Sequence, residues 1–175
     1  MKRLIPIFSI ALIAVFLFAS CKKDSSSSNG SSSYIKAKLN GEQKEFTTGV
    51  SATRSGLGMG LWTMIVGGAS GTESFTINLW SDGDNFGTGT SFEAEATAAS
   101  TYNSLGFVSP LASPDPTNIW ATVSTGTSAT PELHVTITEA NDKFIKGTFS
   151  GKIYQLVDNG ASSMDVTEGE FYVKY

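Results

Sequence analysis

Cysteine and histidine are nearly absent from this chain, which has one of each in 175 residues. The single cysteine, Cys21, excludes an internal disulfide and any metal site built from several thiolates. The single histidine, His134, leaves little material for zinc coordination or for the usual acid–base catalysis. Basic residues are also few, at 12 against 16 acidic ones, so the clustered Lys and Arg that a nucleic-acid partner requires are missing. We therefore expect no metal, no cofactor and no nucleic acid.

The N-terminal residues have the pattern of a secretory leader. Two basic residues precede an apolar run from Leu4 to Ala19, which is typical of a signal peptide and marginal for a permanent membrane helix. The run ends in the letters LFASC, with small residues directly before the cysteine, and this ending resembles a bacterial lipobox. The resemblance implies cleavage between Ser20 and Cys21 and lipidation of the Cys21 thiol. The alternative is a free thiol after a plain secretory signal or inside an anchor helix.

Lipidation of Cys21 predicts stable membrane attachment. Each buried CH₂ contributes ~0.8 kcal/mol, so two or more acyl chains hold a protein where one chain is marginal. Cleavage removes two basic residues and leaves ten against 16 acidic ones, a side-chain charge of −6. Anionic headgroups repel such a body, so the lipid and not a basic face must supply attachment. Lys22, where Asp would retain a lipoprotein at the inner membrane, favours transfer to the outer membrane.

The chain is predicted to have three parts, which are a signal peptide at residues 1–20, a lipidated linker at 21–33 and a domain at 34–175. Seven of the twelve residues from 22 to 33 are serine, which predicts a flexible tether. Its root-mean-square reach is roughly 20 Å. The remaining residues suffice for one domain with a buried core.

Short alternating apolar runs indicate that the domain is all-β, because helical periodicity is nearly absent. The clearest hairpin has an Asn40-Gly41 turn that sets Ile35 opposite Phe46. The strand candidates are Ile35–Leu39 with its hairpin partner, Leu61–Val66, Phe75–Trp80, Phe92–Ala96, Tyr102–Val108, Ile119–Val123, Val135–Ile137, Ile145–Ile153, Val166 and Phe171–Tyr175. About nine or ten strands with short turns predict a single antiparallel β-sandwich or barrel-like domain. A smaller sheet with long irregular loops is the alternative.

Two sequence signatures carry a family resemblance. They are GTFSG at Gly147–Gly151 and TEGEF at Thr167–Phe171, accompanied by the Asn-Gly hairpin near the start of the domain. Together with the lipobox, they resemble a family of small lipoproteins of Bacteroidetes-type bacteria. That family is defined as a domain of unknown function. The resemblance therefore implies an envelope location and says almost nothing about activity. In-phase glycines in the GTFSG strand permit bending or close backbone approach.

Polar motifs in the domain are interpreted as ordinary surface. His134 is expected to face solvent. Glu93 with Glu95, and Glu168 with Glu170, lie on one face of their strands, where paired carboxylates serve glycoside hydrolases. A solvated face is the favoured interpretation, and a hydrolase that uses acidic residues is the lesser alternative.

The run Asp82–Gly87, with the letters DGDNFG, resembles the start of a calcium-binding loop. Phe86 stands where a third ligand belongs, and no Glu follows at the twelfth position. A Gly-rich turn between two strands is the favoured interpretation.

Trp80 and Trp120 are candidate ligand-binding residues. Each is out of phase with the apolar residues of its own strand, so both indoles are expected to face away from the core. Outward indoles suit stacking on the apolar face of a sugar ring. The alternative is an arrangement in which both faces of these strands are covered.

The expected function is that of a noncatalytic envelope lipoprotein, anchored by lipid to the outer membrane, on either its periplasmic or its surface side. Its domain would bind or support a glycan or another envelope protein. A glycan- or small-ligand-binding module that uses Trp80 and Trp120 is the alternative from a second class.

Overall fold

One antiparallel sheet dominates the computed structural model, which describes residues 32–94, 103–111, 115–122, 132–157 and 161–175. Its strands are β1 (Tyr34–Leu39), β2 (Glu42–Phe46), β3 (Thr48–Gly58), β4 (Leu61–Ser70), β5 (Glu73–Asp82), β6 (Ser91–Glu93), β7 (Ser104–Val108), β8 (Ile119–Ala121), β9 (Leu133–Ala140), β10 (Phe144–Gln155) and β11 (Ser163–Lys174). A 3₁₀ turn, Pro116–Asn118, precedes β8, and the described residues contain no α-helix. The prediction of an all-β domain is confirmed.

The strands follow the order β2-β1-β11-β10-β8-β7-β5-β4-β3. Two further strands branch from this path, because β9 also pairs with β10 and β6 pairs with β9. Every pairing is antiparallel, and the sheet curls into a half-barrel, which is the barrel-like form of the predicted domain. Strand β10 pairs with β11 along one edge and is long enough to pair with two strands along the other. It pairs with β9 over Ile145–Gly151 and with β8 over Tyr154–Gln155.

The core lies on the concave side of the curled sheet. Side chains alternate along each strand, so one set points inward, and these inward residues are apolar on most strands. Ile145, Phe149 and Ile153, which the sequence places in one phase, are all buried. Four phenylalanines pack in a chain through the core, namely Phe46, Phe75, Phe149 and Phe171.

The β1–β2 hairpin has the predicted register. Ile35 lies opposite Phe46 across a two-residue turn, in which Asn40 has a φ of 49° and Gly41 a φ of 83°. The Asn40 amide donates to the Asp165 carbonyl at 2.9 Å, and the Asp165 amide donates to Asn40 Oδ1 at 2.9 Å. These two bonds hold the turn against the first residues of β11.

The two signature motifs interlock through glycine and phenylalanine. Gly147 lies directly opposite Phe171, and Phe149 lies directly opposite Gly169. A Cβ on Gly147 would collide with the Phe171 ring and approach the Thr136 carbonyl to 2.6 Å. A Cβ on Gly169 would collide with the ring and carbonyl of Phe149. The close approach that the GTFSG glycines permit is thus confirmed, and each ring occupies the space that a glycine leaves.

Two strands differ from the sequence-based expectation. Strand β3 was not among the candidates, because its Gly, Ser, Thr and Arg residues are mostly exposed and only Val50 and Ala52 pack on the core. The predicted separate strands at Val166 and Phe171–Tyr175 are one strand, β11. A bulge at Glu168 breaks its alternation, since the register of β11 shifts there against both β1 and β10.

Candidate binding surface

A groove of about 340 Å³ lies on the outer face of β9, β10 and β11. Its polar lining side chains come from the positions that alternate with the buried residues of these strands. They are His134, Thr136, Thr148, Ser150, Glu168 and Glu170, and Phe149 and Gly169 complete the lining. Hydroxyl, imidazole and carboxylate groups are all hydrogen-bonding groups, so the groove suits a polar ligand.

The bulge in β11 shapes the groove. Glu168 adopts a left-handed backbone conformation, with a φ of 51°, directly before Gly169. A non-glycine residue rarely adopts that conformation unless its surroundings hold it there. The carboxylates of Glu168 and Glu170 both line the groove.

Two lysines of β1 neutralise these carboxylates. Lys38 Nζ lies 2.7 Å from Glu168 Oε1, and Lys36 Nζ lies 3.3 Å from Glu170 Oε2. The Tyr34 hydroxyl donates a hydrogen bond to the Glu170 carboxylate. That bond, with the Lys36 charge as a further cause, holds the pKa of Glu170 below its usual range despite partial burial. Burial, together with the bond to Glu170, raises the pKa of Tyr34 to about 12.

Strand β9 forms the far wall of the groove, and β6 pairs with β9 on its other side. Glu93 lies opposite His134, and their side chains form an ion pair when the imidazole is protonated. Ser91 Oγ and Thr136 Oγ1 are 3.1 Å apart. His134 is exposed, as expected, and its carboxylate partner comes from a strand about forty residues away in the chain. Glu95, the second member of the predicted carboxylate pair, lies outside the described residues.

An aromatic row borders the groove on the same face. The rings of Tyr34 and Tyr172 stack at 6.0 Å, and Phe144 packs on Tyr172 at 5.2 Å. Lys36 Nζ lies 4.9 Å from the centre of the Tyr34 ring. All three rings are half-buried. Sequence reasoning missed this row, although its members occupy the outward phase of their strands and that phase is the available signal.

The structure separates the two candidate tryptophans. Trp80 lies on the outer face opposite Thr63, is half-buried, and donates its backbone N–H to Asn103 Oδ1 at 2.8 Å. The outward orientation predicted for Trp80 is confirmed. Trp120 lies opposite the buried Phe107 and packs against the core, so the outward orientation predicted for it is wrong.

The physical reason lies in the shortness of β8. This strand has three residues, all half-buried, and its apolar alternation gives no reliable inward phase. A third tryptophan, Trp62, also packs against the core, and its ring lies 3.4 Å from where a Cβ on Gly56 would be. The ligand-binding roles of Trp80 and Trp120 stay predictions.

The DGDNFG run forms a turn that is fixed by its phenylalanine. Phe86 is buried, and its ring stacks on Phe92 at 5.7 Å. Asp84 pairs with Arg54 at 3.5 Å. Within the described residues, no three His, Cys, Asp or Glu side chains converge as a metal site requires.

Ser20 and Cys21 lie outside the described residues, so cleavage and lipidation there stay predictions. In the part of the chain that is described, no helix has the length and apolar character to cross a membrane.

Comparison of the chain with family models, curated proteins and solved structures returns no match. The functional proposal therefore depends on the sequence and on the geometry of the outer face.

Proposed function

We propose that this chain is a lipoprotein of the bacterial cell envelope, anchored to the outer membrane through Cys21, with a noncatalytic β-domain that binds another envelope component. The lipobox resemblance and the Ser-rich linker support the anchor. The groove and its aromatic border support a binding role.

The observation that carries the binding role is the pairing of the acidic groups along the groove. Glu168 is bound by Lys38, and Glu170 is bound by Lys36 and Tyr34. A general acid or base works best with a pKa near the operating pH. The contacts of Glu170 lower its pKa, which moves it away from neutral pH. The same pairing makes a hydrolase the weakest of the three candidate functions.

A glycan is the ligand class that the surface fits best. Hydroxyl and carboxylate groups in the groove donate and accept hydrogen bonds with sugar hydroxyls. The neighbouring Tyr34 and Tyr172 rings offer half-buried aromatic surface for stacking, as does Trp80 elsewhere on the outer face. Trp120 is the weaker candidate because its ring packs on the core.

Metabolic labelling with radioactive palmitate tests the anchor. The wild-type chain is expected to incorporate label and to fractionate with the outer membrane, whereas Cys21→Ala is expected to do neither. Equal labelling of both proteins would contradict the anchor.

A groove-filling variant tests the binding surface. We expect Thr148→Arg to abolish co-sedimentation with purified peptidoglycan or lipopolysaccharide, because the arginine fills the groove. Thr53→Arg, an exposed strand position on β3 away from the groove, is the matched control and should bind as the wild type does. Equal binding by both variants would remove the groove from the proposal.

A further inference from the structure

The tip of the β3–β4 hairpin carries an apolar side chain, Met59, at a position that is exposed to solvent and has a left-handed backbone conformation. Met59 is 98% exposed and has a φ of 53°, and it is followed by Gly60 with a φ of 82°. Turns of this geometry favour Asn, Asp or Gly, and a methionine there is strained. Strain that a residue retains without a structural benefit points to a function outside the fold.

The surroundings of Met59 extend this apolar surface. Leu57, two residues earlier in the chain, is 49% exposed. The segment Thr47–Thr72 contains no Asp or Glu and a single basic residue, Arg54, in a chain with 16 acidic residues. The hairpin therefore lacks the negative charge that repels the rest of the domain from a lipid surface.

The hairpin tip lies at the end of the domain where the Ser-rich linker joins it. Lys174 N donates to Ser33 Oγ at 3.0 Å, which puts the start of the domain beside the end of β11. The next residue, Tyr175, lies under Arg54 of β3, with 5.4 Å between the guanidinium carbon and the ring centre.

Strand β3 runs in a direction that places the hairpin tip beyond the point where the linker joins the domain. Six antiparallel steps around the sheet separate β3 from β11, so the two strands run in the same direction. Met59 follows Arg54 by five residues, which is roughly 16 Å of further strand at ~3.3 Å per residue. The tip thus projects beyond the end at which the linker attaches.

We propose that this tip, Leu57–Leu61, inserts into the lipid surface to which Cys21 anchors the chain. The inference rests on the proposed anchor. A linker of roughly 20 Å reach keeps this end of the domain close to the bilayer, and the apolar tip is the part of that end suited to enter it. Asp82 lies opposite Leu61, and the Gly83 amide donates to the Gly60 carbonyl at 2.7 Å, so Asp82 and Asp84 flank the tip. These carboxylates favour a zwitterionic surface over an anionic one, and Asp84 is paired with Arg54.

A unique thiol at the tip tests the proposal. Once Cys21 is acylated, Met59→Cys supplies the only free thiol of the full-length lipoprotein, and it is labelled with an environment-sensitive fluorophore. In phosphatidylcholine vesicles that contain nitroxide-labelled lipid, we expect the probe to shift to the blue and to be quenched several-fold more strongly than a control probe.

The control is the same probe on Asn40→Cys, in a turn of the same geometry at the opposite end of the domain. If Asn40→Cys does not fold, Val157→Cys replaces it, because Val157 is 46% exposed just after the end of β10 and at that same end.

The outcomes separate the two proposals. If the labelled proteins do not float with the vesicles, the anchor is wrong and the tip inference is overturned with it. If they float and the probe at position 59 is quenched no more than the control, the anchor stands and the tip inference is overturned. That second result would leave the tip facing water or a protein partner.

Discussion

The two central turn residues of the β1–β2 and β3–β4 hairpins have the same backbone geometry and different side chains, and in the second hairpin the preceding Gly58 also has a positive φ, of 89°. Asn40 and Met59 have φ values of 49° and 53°, and the glycines that follow have values of 83° and 82°. Asn40 suits this conformation and accepts a hydrogen bond from the Asp165 amide, whereas Met59 is almost fully exposed. The shape of the turn therefore does not determine its first residue. Both turns are bonded to their own domain, the second through the Gly83 amide, which donates to the Gly60 carbonyl at 2.7 Å. They differ in the first side chain, which is hydrogen-bonded in Asn40 and exposed and apolar in Met59.

The strands behind the two turns differ in the same way. The β10–β11 region that supports the first turn is closely packed, because phenylalanine rings fill the space where Gly147 and Gly169 lack a Cβ. The β3–β4 hairpin has a mostly exposed first strand, and its buried side chains, Thr63, Met64 and Val66, all lie on β4. Changes in the first region are expected to alter stability, and changes in the second are expected to alter contacts outside the domain.

The largest effect is expected from a core truncation in the packed region. Phe149→Ala should lower the free energy of unfolding by ~3–5 kcal/mol, because it removes a buried ring and leaves a cavity. Leu57→Ala in the exposed hairpin should change it by less than about 0.5 kcal/mol. Urea denaturation followed by circular dichroism measures both. Similar losses in the two variants would erase the contrast between the regions.

A pair of glycine substitutions sharpens the same contrast. Gly169→Ala should lower the free energy of unfolding by about 1–3 kcal/mol, because its Cβ collides with the ring and carbonyl of Phe149. Gly56→Ala should be close to neutral, because its Cβ meets only the Trp62 ring at 3.4 Å. Thermal denaturation of the two variants compares them. A neutral Gly169→Ala would contradict the interlocked packing.

The turns themselves are expected to respond in opposite directions. Met59→Asn should raise the free energy of unfolding by ~0.5–1 kcal/mol, because asparagine tolerates the left-handed conformation better than methionine does. Asn40→Met should lower it by about 1 kcal/mol, since it adds that strain and removes the bond from the Asp165 amide. If both exchanges destabilise the protein, the methionine has a structural role in its turn.

The smallest effect is a pH dependence of stability in the packed region. The folded-state pKa of Glu170 is lowered from 4.5 by the Tyr34 hydrogen bond and by Lys36. The stability from these contacts is therefore complete above about pH 4.5 and is lost as the pH falls through the lowered value. Tyr34→Phe should reduce the fall in the free energy of unfolding between about pH 5 and about pH 2, measured by denaturation at each pH. An unchanged pH dependence in the variant would argue against the bond.

The sequence predicts the fold where the alternation is regular. The register of Ile35 with Phe46 and the inward phase of Phe149 follow from period-two patterning and an Asn-Gly turn. It fails where that pattern is short or interrupted. Trp120 lies on a three-residue strand, and the bulge at Glu168 splits one long strand into two apparent ones.

The candidate surface is less predictable than the fold for a different reason. The groove joins β9, β10 and β11, and the lysines that neutralise its carboxylates come from β1. The pairing of His134 with Glu93, and of Glu170 with Tyr34 at a separation of 136 residues, depends on strand order that local patterns do not encode. The charge content of the β3–β4 hairpin, by contrast, can be read directly from the sequence.

Hydrogen exchange at the two turns tests the central comparison most directly. The full-length lipoprotein and its Met59→Asn variant are placed on phosphatidylcholine vesicles, and exchange is measured by mass spectrometry for peptides that cover each turn. We predict that the β3–β4 tip of the wild type is protected on vesicles relative to the Met59→Asn variant, while the β1–β2 turn exchanges equally in both proteins. Equal exchange at the β3–β4 tip in the two proteins would contradict the account.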